Sequence, residues 1–199
     1  PLASGSNSFA AGGEFQTASG AYSVSLGGSV NTASGEAAYA FGKRALADKV
    51  GKYAYGAQLT GTSGATQAGM MVLVADTTDA TSEALRSNTN AAGTTNQVVL
   101  PNNSVYGFTG TVIAREDSSS TDDFAVWEIK GGAVRGASAS TAALGSYNIN
   151  KISESTGAAN WSIALSADTT NGAVAITVTG EAAHNIRWVA TVNTTEVTY

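Results

Sequence analysis

The chain contains no cysteine, two prolines and one histidine in 199 residues, and only 13% of it is charged. Without cysteine there are neither disulfides nor thiolate metal ligands. Charge at about half the usual share argues against a helical protein with ion-paired faces. Ten Lys and Arg, spread along a chain of net charge −5, form no clustered basic patch. With a pI near 4.7, no nucleic-acid partner is expected. No apolar run approaches the length of a membrane span, and no charged n-region with an apolar h-region opens the chain. Neither membrane insertion nor a signal peptide is therefore expected. Pro rather than Met at position 1 reads as a piece cut from a longer protein.

Ala, Ser, Thr, Asn and 23 glycines take the place of the missing charge. Small polar residues of this kind suit flat, close-packed β-surfaces. A hydrophobic content of 43% with a low net charge argues against disorder.

The first third is a repeat. Ala3–Gly12, Ala18–Gly27 and Ala33–Gly42 align at a step of 15 residues, and a degraded fourth copy, Lys52–Gly56, follows at a step of 14. Gly5, Gly20 and Gly35 recur in phase, as do Gly12, Gly27 and Gly42. They mark corners with positive φ or close backbone approach. Between them, Phe9/Ala11, Val24/Leu26, Tyr39/Phe41 and Tyr53/Tyr55 share one face. The small row Ser8/Ala10, Ser23/Ser25, Ala38/Ala40 and Lys52/Ala54 takes the other. A second short strand per repeat is expected at Phe15, Val30 and Ala45. Each repeat is thus one coil of a β-solenoid. The apolar row is expected to be buried between coils, and the small row to receive another chain. Four coils make a thin core that calls for oligomerisation.

The pattern Ala-Ser-Gly-x-x-Ser-x-Ala-x-Gly over residues 3–56 resembles the head repeats of trimeric autotransporter adhesins. It also resembles repeats of bacteriophage tail fibres and tailspikes. The resemblance implies a left-handed parallel β-roll of three chains. Lys52, where the copies before have Ser23 and Ala38, reads as wear, and Lys43–Lys49 as the cap of the roll.

Residues 57–69 read as a linker. Strands are expected at Met70–Ala75, Gln97–Leu100, Val105–Arg115, Phe124–Lys130, Trp161–Ala167, Ala173–Gly180 and Ile186–Val192. Gly131-Gly132 is expected to turn the chain, and Ala80–Arg86 to make a helical turn or two. Short strands between turn clusters suggest an antiparallel sandwich or jelly roll. The stretches MMVLVADTTDAT, LPNNSVYGFTGTVIARE and TNGAVAITVTGEAAHNIRWVATVNTTEV resemble C-terminal domains of phage tail-fibre proteins.

Candidate chemistry is sparse. His184 is the only imidazole for a Ser–His–Asp arrangement, and no Gly-x-Ser-x-Gly elbow accompanies it; it reads as a loop residue. Glu116, Asp117, Asp122 and Asp123 with their interspersed hydroxyls have calcium-ligand chemistry, but a solvated hairpin explains them equally. Glu128 and Glu154 are candidates for a glycosidase pair. Trp127, Trp161 and Trp188 lie in alternating strands and read as core, which leaves Tyr106, Tyr147 and Tyr199 as candidate sugar-stacking residues.

The sequence therefore predicts an all-β homotrimer, with residues 1–60 a left-handed parallel β-roll and residues 61–199 a β-sandwich or jelly-roll tip. Its expected role is non-catalytic attachment, by a phage tail fibre or tailspike outside the cell, to a host-surface receptor, polysaccharide included. No catalytic residue, metal or cofactor is assigned, and no binding residue is fixed. The alternatives are a bacterial trimeric autotransporter adhesin head, expected to continue into a heptad stalk and membrane anchor, and a fragment of a polysaccharide-degrading tailspike.

Overall fold

The 14- to 15-residue glycine period sets the architecture. The computed structural model describes residues 1–57, 61–117 and 122–199. It is all-β, with four solenoid coils of two strands each. The strands are β1 (Leu2–Ala3) and β2 (Phe9–Ala11), β3 (Thr17–Ala18) and β4 (Val24–Ser29), β5 (Thr32–Ala33) and β6 (Tyr39–Lys43), and β7 (Leu46–Ala47) and β8 (Tyr53–Ala57). Odd-numbered strands stack in parallel as one sheet, and β2, β4, β6 and β8 stack in parallel as part of another. Gly5 and Gly20 are obligatory at their corners, because a Cβ on either would collide with the carbonyl of Gly20 or Gly35 in the next coil.

The structure reverses the expected faces. The small row points inward: Ser23, Ser25, Ala38, Ala40 and Ala54 are at most 1% exposed and face Ala18, Ala33 and Ala47. The aromatic row points outward. A coil this short brings its two walls too close for anything much larger than a methyl or hydroxyl group, and interiors tolerate no overpacking. Phe15 and Val30 are not strand residues either. With Arg44, the true third-copy equivalent, they hold φ of 52°, 61° and 59° in a left-handed corner. Ala45 instead aligns with Gln16 and Asn31, which close the lumen. Asn31 Nδ2 donates to the carbonyls of Gly27 (2.7 Å) and Gly42 (2.8 Å), while its Oδ1 accepts from Ala45 N–H (2.9 Å). Ser25 Oγ donates to Gln16 Oε1 at 2.8 Å.

The remaining strands are β9 (Thr66–Thr77), β10 (Ser82–Ala84), β11 (Val98–Val99), β12 (Ser104–Glu116), β13 (Phe124–Arg135), β14 (Ala143–Glu154), β15 (Ser162–Asp168), β16 (Ala173–Thr179) and β17 (Ile186–Thr198). β9 pairs antiparallel with β8, so a single nine-stranded sheet, ordered β14-β13-β12-β17-β9-β8-β6-β4-β2, runs from the first coil to the far edge. β16 pairs with β15 along one edge and with β10 and β11 along the other. This small sheet shares a core with the long one: Trp161 and Ile176 pack with Leu73, Val112, Trp127 and Trp188. All three Trp are at most 2% exposed, and Trp127 stacks on Trp188 at 5.6 Å.

Several expected local features change. Thr66–Gly69, read as linker, are strand residues paired with β17, and Gln67–Gly69 pair with β8 as well. Residues 58–60 lie outside the described residues. Gly131 and Gly132 do not turn the chain; they continue β13, where Gly132 pairs with Gly107. Ala80–Arg86 carries β10 and a bridge from Arg86 to Val74, with no helical turn. Lys43–Lys49 is ordinary coil holding β7. The last coil is covered by the chain that follows it: Gly64 N–H donates to Arg44 O (2.8 Å), and the Gln67 amide bonds Leu46 N–H (2.8 Å) and O (3.0 Å).

The lumen gives a stability test. Asn31→Ala strips three backbone groups of their partner and is expected to cost about 2–4 kcal/mol. Ser34→Ala, on an exposed site, should stay within about 0.5 kcal/mol. Urea midpoints at unchanged slope measure both.

Candidate functional site

Side chains alternate across a strand, so the nine-stranded sheet has one face toward the lumen and core and one toward solvent. On the coils the solvent face is apolar. Phe9, Leu26, Phe41, Tyr53 and Tyr55 are 39–56% exposed. They form in-register ladders, with Tyr39 stacked on Tyr53 at 4.5 Å and 11° and Phe41 against Tyr55 at 5.5 Å. The opposite wall presents Ser19, Ser34, Thr17 and Thr32, with Leu2 and Leu46 at the two ends of the threonine row. The solenoid is thus amphipathic by side.

At the far end the same face turns polar. Asn193, Thr109, Lys130 and Asn148 form one row across β17, β12, β13 and β14, and Thr191, Thr111, Glu128 and Asn150 form the next. These rows line two adjoining depressions of about 620 and 440 Å³. Tyr147, half exposed, lines the larger one together with Gly107 and Gly131. A Cβ on Gly131 would come within 2.7 Å of Tyr147 Cβ and 2.8 Å of Phe108 Cζ. Glycine there is what makes room for the tyrosine.

Between these two regions lies a buried polar network that the sequence reading missed. Lys52 Nζ is 2.8 Å from Glu196 Oε2, with side chains 5% and 1% exposed. Gln67 Nε2 donates to the same oxygen (2.7 Å) and Thr194 Oγ1 to Glu196 Oε1 (2.6 Å). Lys52 also lies over the Tyr106 ring, 5.8 Å from its centroid. Lys52 is therefore not a worn repeat position. A lone lysine within an otherwise small, inward row was the available signal, and its partner, 144 residues on, could not be read from spacing. Burial, and then the charge and hydrogen bond of Glu196, push the Tyr106 hydroxyl well above its ordinary 10.0.

The other candidates are scattered. Tyr106 is buried under this network and Tyr199 is 98% exposed beside no depression described above, so of the three tyrosines only Tyr147 lines one. His184 Nδ1 lies 2.9 Å from Glu116 Oε1, and among the described residues no serine hydroxyl bonds it. Asp122 pairs with Arg115 (2.7 Å) and Asp123 accepts from Ser155 Oγ (2.6 Å). The rest of the proposed calcium loop, Ser118–Thr121, lies outside the described residues. Glu128 pairs opposite Asn150, and Glu154 opposite Ala125. That is about 10 Å along the strands at 3.3 Å per residue, so the structure does not bring this pair together.

No family model matches the sequence, and no curated protein does. Among solved structures the chain is similar to the tailspike protein of Acinetobacter phage vB_ApiP_P1, at 15% identity and a TM-score of 0.31 over 72% of this chain. The chain spans 24% of that protein's length. The likeness is to a phage tailspike and is distant, and no role of an individual residue is drawn from it.

Two outcomes follow from the junction. Lys52→Met leaves Glu196 buried without its cation and should cost about 3–5 kcal/mol, whereas Lys52→Met with Glu196→Leu should recover most of that loss; thermal or urea unfolding compares them. Because the Tyr106 hydroxyl is raised in the folded chain, its contribution is fully present below the unfolded value of 10.0 and is lost as pH rises beyond it. Unfolding midpoints measured across that alkaline range should fall in the parent and flatten in Tyr106→Phe.

Proposed function

We propose that this chain is a non-catalytic, receptor-binding attachment module of a bacteriophage tail fibre or tailspike, acting as a homotrimer on the exterior of the virion. The observation that carries the reading is the one-sided apolarity of the coils. A lone chain would leave Phe9, Leu26, Phe41, Tyr53 and Tyr55 in water, a contiguous patch of the kind that marks an interface. Three such prisms, each turning its aromatic side inward and its Ser/Thr side outward, bury all three patches about one axis. The resemblance of the repeats to trimeric heads favours three chains over two and a left-handed winding.

In this reading residues 1–60 supply the trimeric roll and residues 61–199 a sandwich-like tip. The tip carries the receptor site in the Tyr147 depression. Its amides, hydroxyls, one Lys and one Glu beside a half-exposed aromatic ring suit a polysaccharide, whose hydroxyls take hydrogen bonds while a sugar face stacks on the ring. Three weak sites on one rigid axis then gain strength by multivalency.

Light scattering coupled to size exclusion is expected to give about 60 kDa for 19.9 kDa chains, persisting on dilution because folding and assembly are linked. Phe41→Ser with Tyr55→Ser should lower that mass. A stable parent monomer sinks the trimer. Binding of capsular or lipopolysaccharide glycans should weaken about tenfold in Tyr147→Ala; equal binding by that variant removes the site from the tip.

A further inference from the structure

Charge is scarce in this chain, and almost every cation is already engaged. Lys49, Lys52, Arg86, Arg115, Lys151 and Arg187 each pair with a carboxylate. Arg44 and Arg135 donate to the carbonyls of Gly61 and Leu100, both at 2.6 Å. Of the ten Lys and Arg side chains, only Lys43 and Lys130 have neither an ion pair nor a side-chain hydrogen bond among the described residues. Lys43 ends β6 and lines neither of the two depressions in the far half of the sheet, whereas Lys130 lines both.

The surroundings of Lys130 suit one kind of ligand. In the larger depression it is the sole charged residue, and Tyr147 lines the same space. Thr109 and Asn148 stand directly opposite it on β12 and β14, and Asn193 lies beyond Thr109 on β17. This row holds an ammonium, a hydroxyl and two carboxamides, all able to donate, and no carboxylate. Glu128 comes two residues earlier on β13, about 6.6 Å along the strand at 3.3 Å per residue. It lines only the smaller depression, with Thr111 and Asn150. A row of donors thus lies beside a row that holds an ionised acceptor.

We infer, on the basis of the receptor reading above, that the Tyr147 depression takes an acidic sugar whose carboxylate is held by Lys130, with the hydroxyls of a neutral neighbouring sugar on Glu128. A charge-assisted hydrogen bond is about twice as strong as a neutral one, and Lys130 has no internal partner to give up in forming it. A second carboxylate one sugar along would meet Glu128, so a glycan that alternates acidic and neutral units fits better than a uniform polyanion. The net charge of −5 does not oppose this, because exposed charges more than about 8 Å away are largely screened at physiological ionic strength.

The experiment takes the capsular and lipopolysaccharide glycans that bind the parent chain and reduces their carboxyl groups to neutral alcohols. Calorimetric titration then compares both forms on the parent, Lys130→Met and Tyr147→Ala. Carboxyl reduction should weaken binding to the parent about tenfold, the worth of a hydrogen bond to a charged group. Lys130→Met should lose about as much on the acidic glycan and nothing further on the reduced one. Position 130 is exposed, so this variant should keep the parental urea midpoint to within about 0.5 kcal/mol. Two results overturn the inference and leave the receptor site standing. One is equal binding of the acidic and reduced forms by the parent while Tyr147→Ala weakens both. The other is Lys130→Met weakening both forms alike, which would assign the lysine to a phosphate or to neutral hydroxyls. Binding that is indifferent to Tyr147→Ala, or absent for every glycan, removes the receptor reading and this inference together.

Discussion

The lumen of a coil built from 14 or 15 residues is narrow, and most of the structure follows from that width. Apart from Lys52 at the last coil, two β-walls this close admit only Ala, Ser and the flat amides of Gln16 and Asn31. Everything larger must stand outside. The coils therefore bury little apolar area of their own at about 25 cal/mol per Å², and are held instead by backbone ladders and by the amide bonds of the lumen. Tyr39, Phe41, Tyr53 and Tyr55, the side chains that would make a core in an ordinary domain, become a surface.

The same constraint explains why the long sheet does not stop at the coils. A stack with a thin interior gains from a neighbour that has a thick one. β9 provides it by pairing with β8 on one edge and with β17 on the other. The Lys52–Glu196–Gln67 network is set where small-residue interior gives way to the Trp-rich core. Gly69 leaves the room it needs, because any side chain there would meet Glu196 and Thr194. A buried ion pair adds little net stability over an apolar substitute. This one ties the last coil directly to β17.

How much of this was legible in the sequence depended on the kind of signal. The glycine phase and the period-two alternation were plain, and they yielded the coils. Alternation, however, separates two faces without saying which is inside, and the usual rule that large apolar residues go inward fails when the lumen is too small for them. β14 went unread because Ala143–Glu154 is mostly exposed and brings only Leu144 and Ile149 against the core, too sparse a pattern to mark a strand. Gly131 and Gly132 read as a turn, yet both continue an extended strand, and Gly131 lets Tyr147 and Phe108 approach. Tyr147 reads in the sequence as an aromatic outside any clear strand. Only the cross-strand register placed it beside Lys130 and Asn148.

The small row lines the lumen and the aromatic row does not. Urea unfolding of Ala40→Leu tests it most directly, because Ala40 is 1% exposed between the two walls. A lowered midpoint is expected, by at least the roughly 1–3 kcal/mol typical of overpacking. A variant that unfolds at the parental midpoint would mean that position 40 faces open space, and would return the aromatic row to the interior.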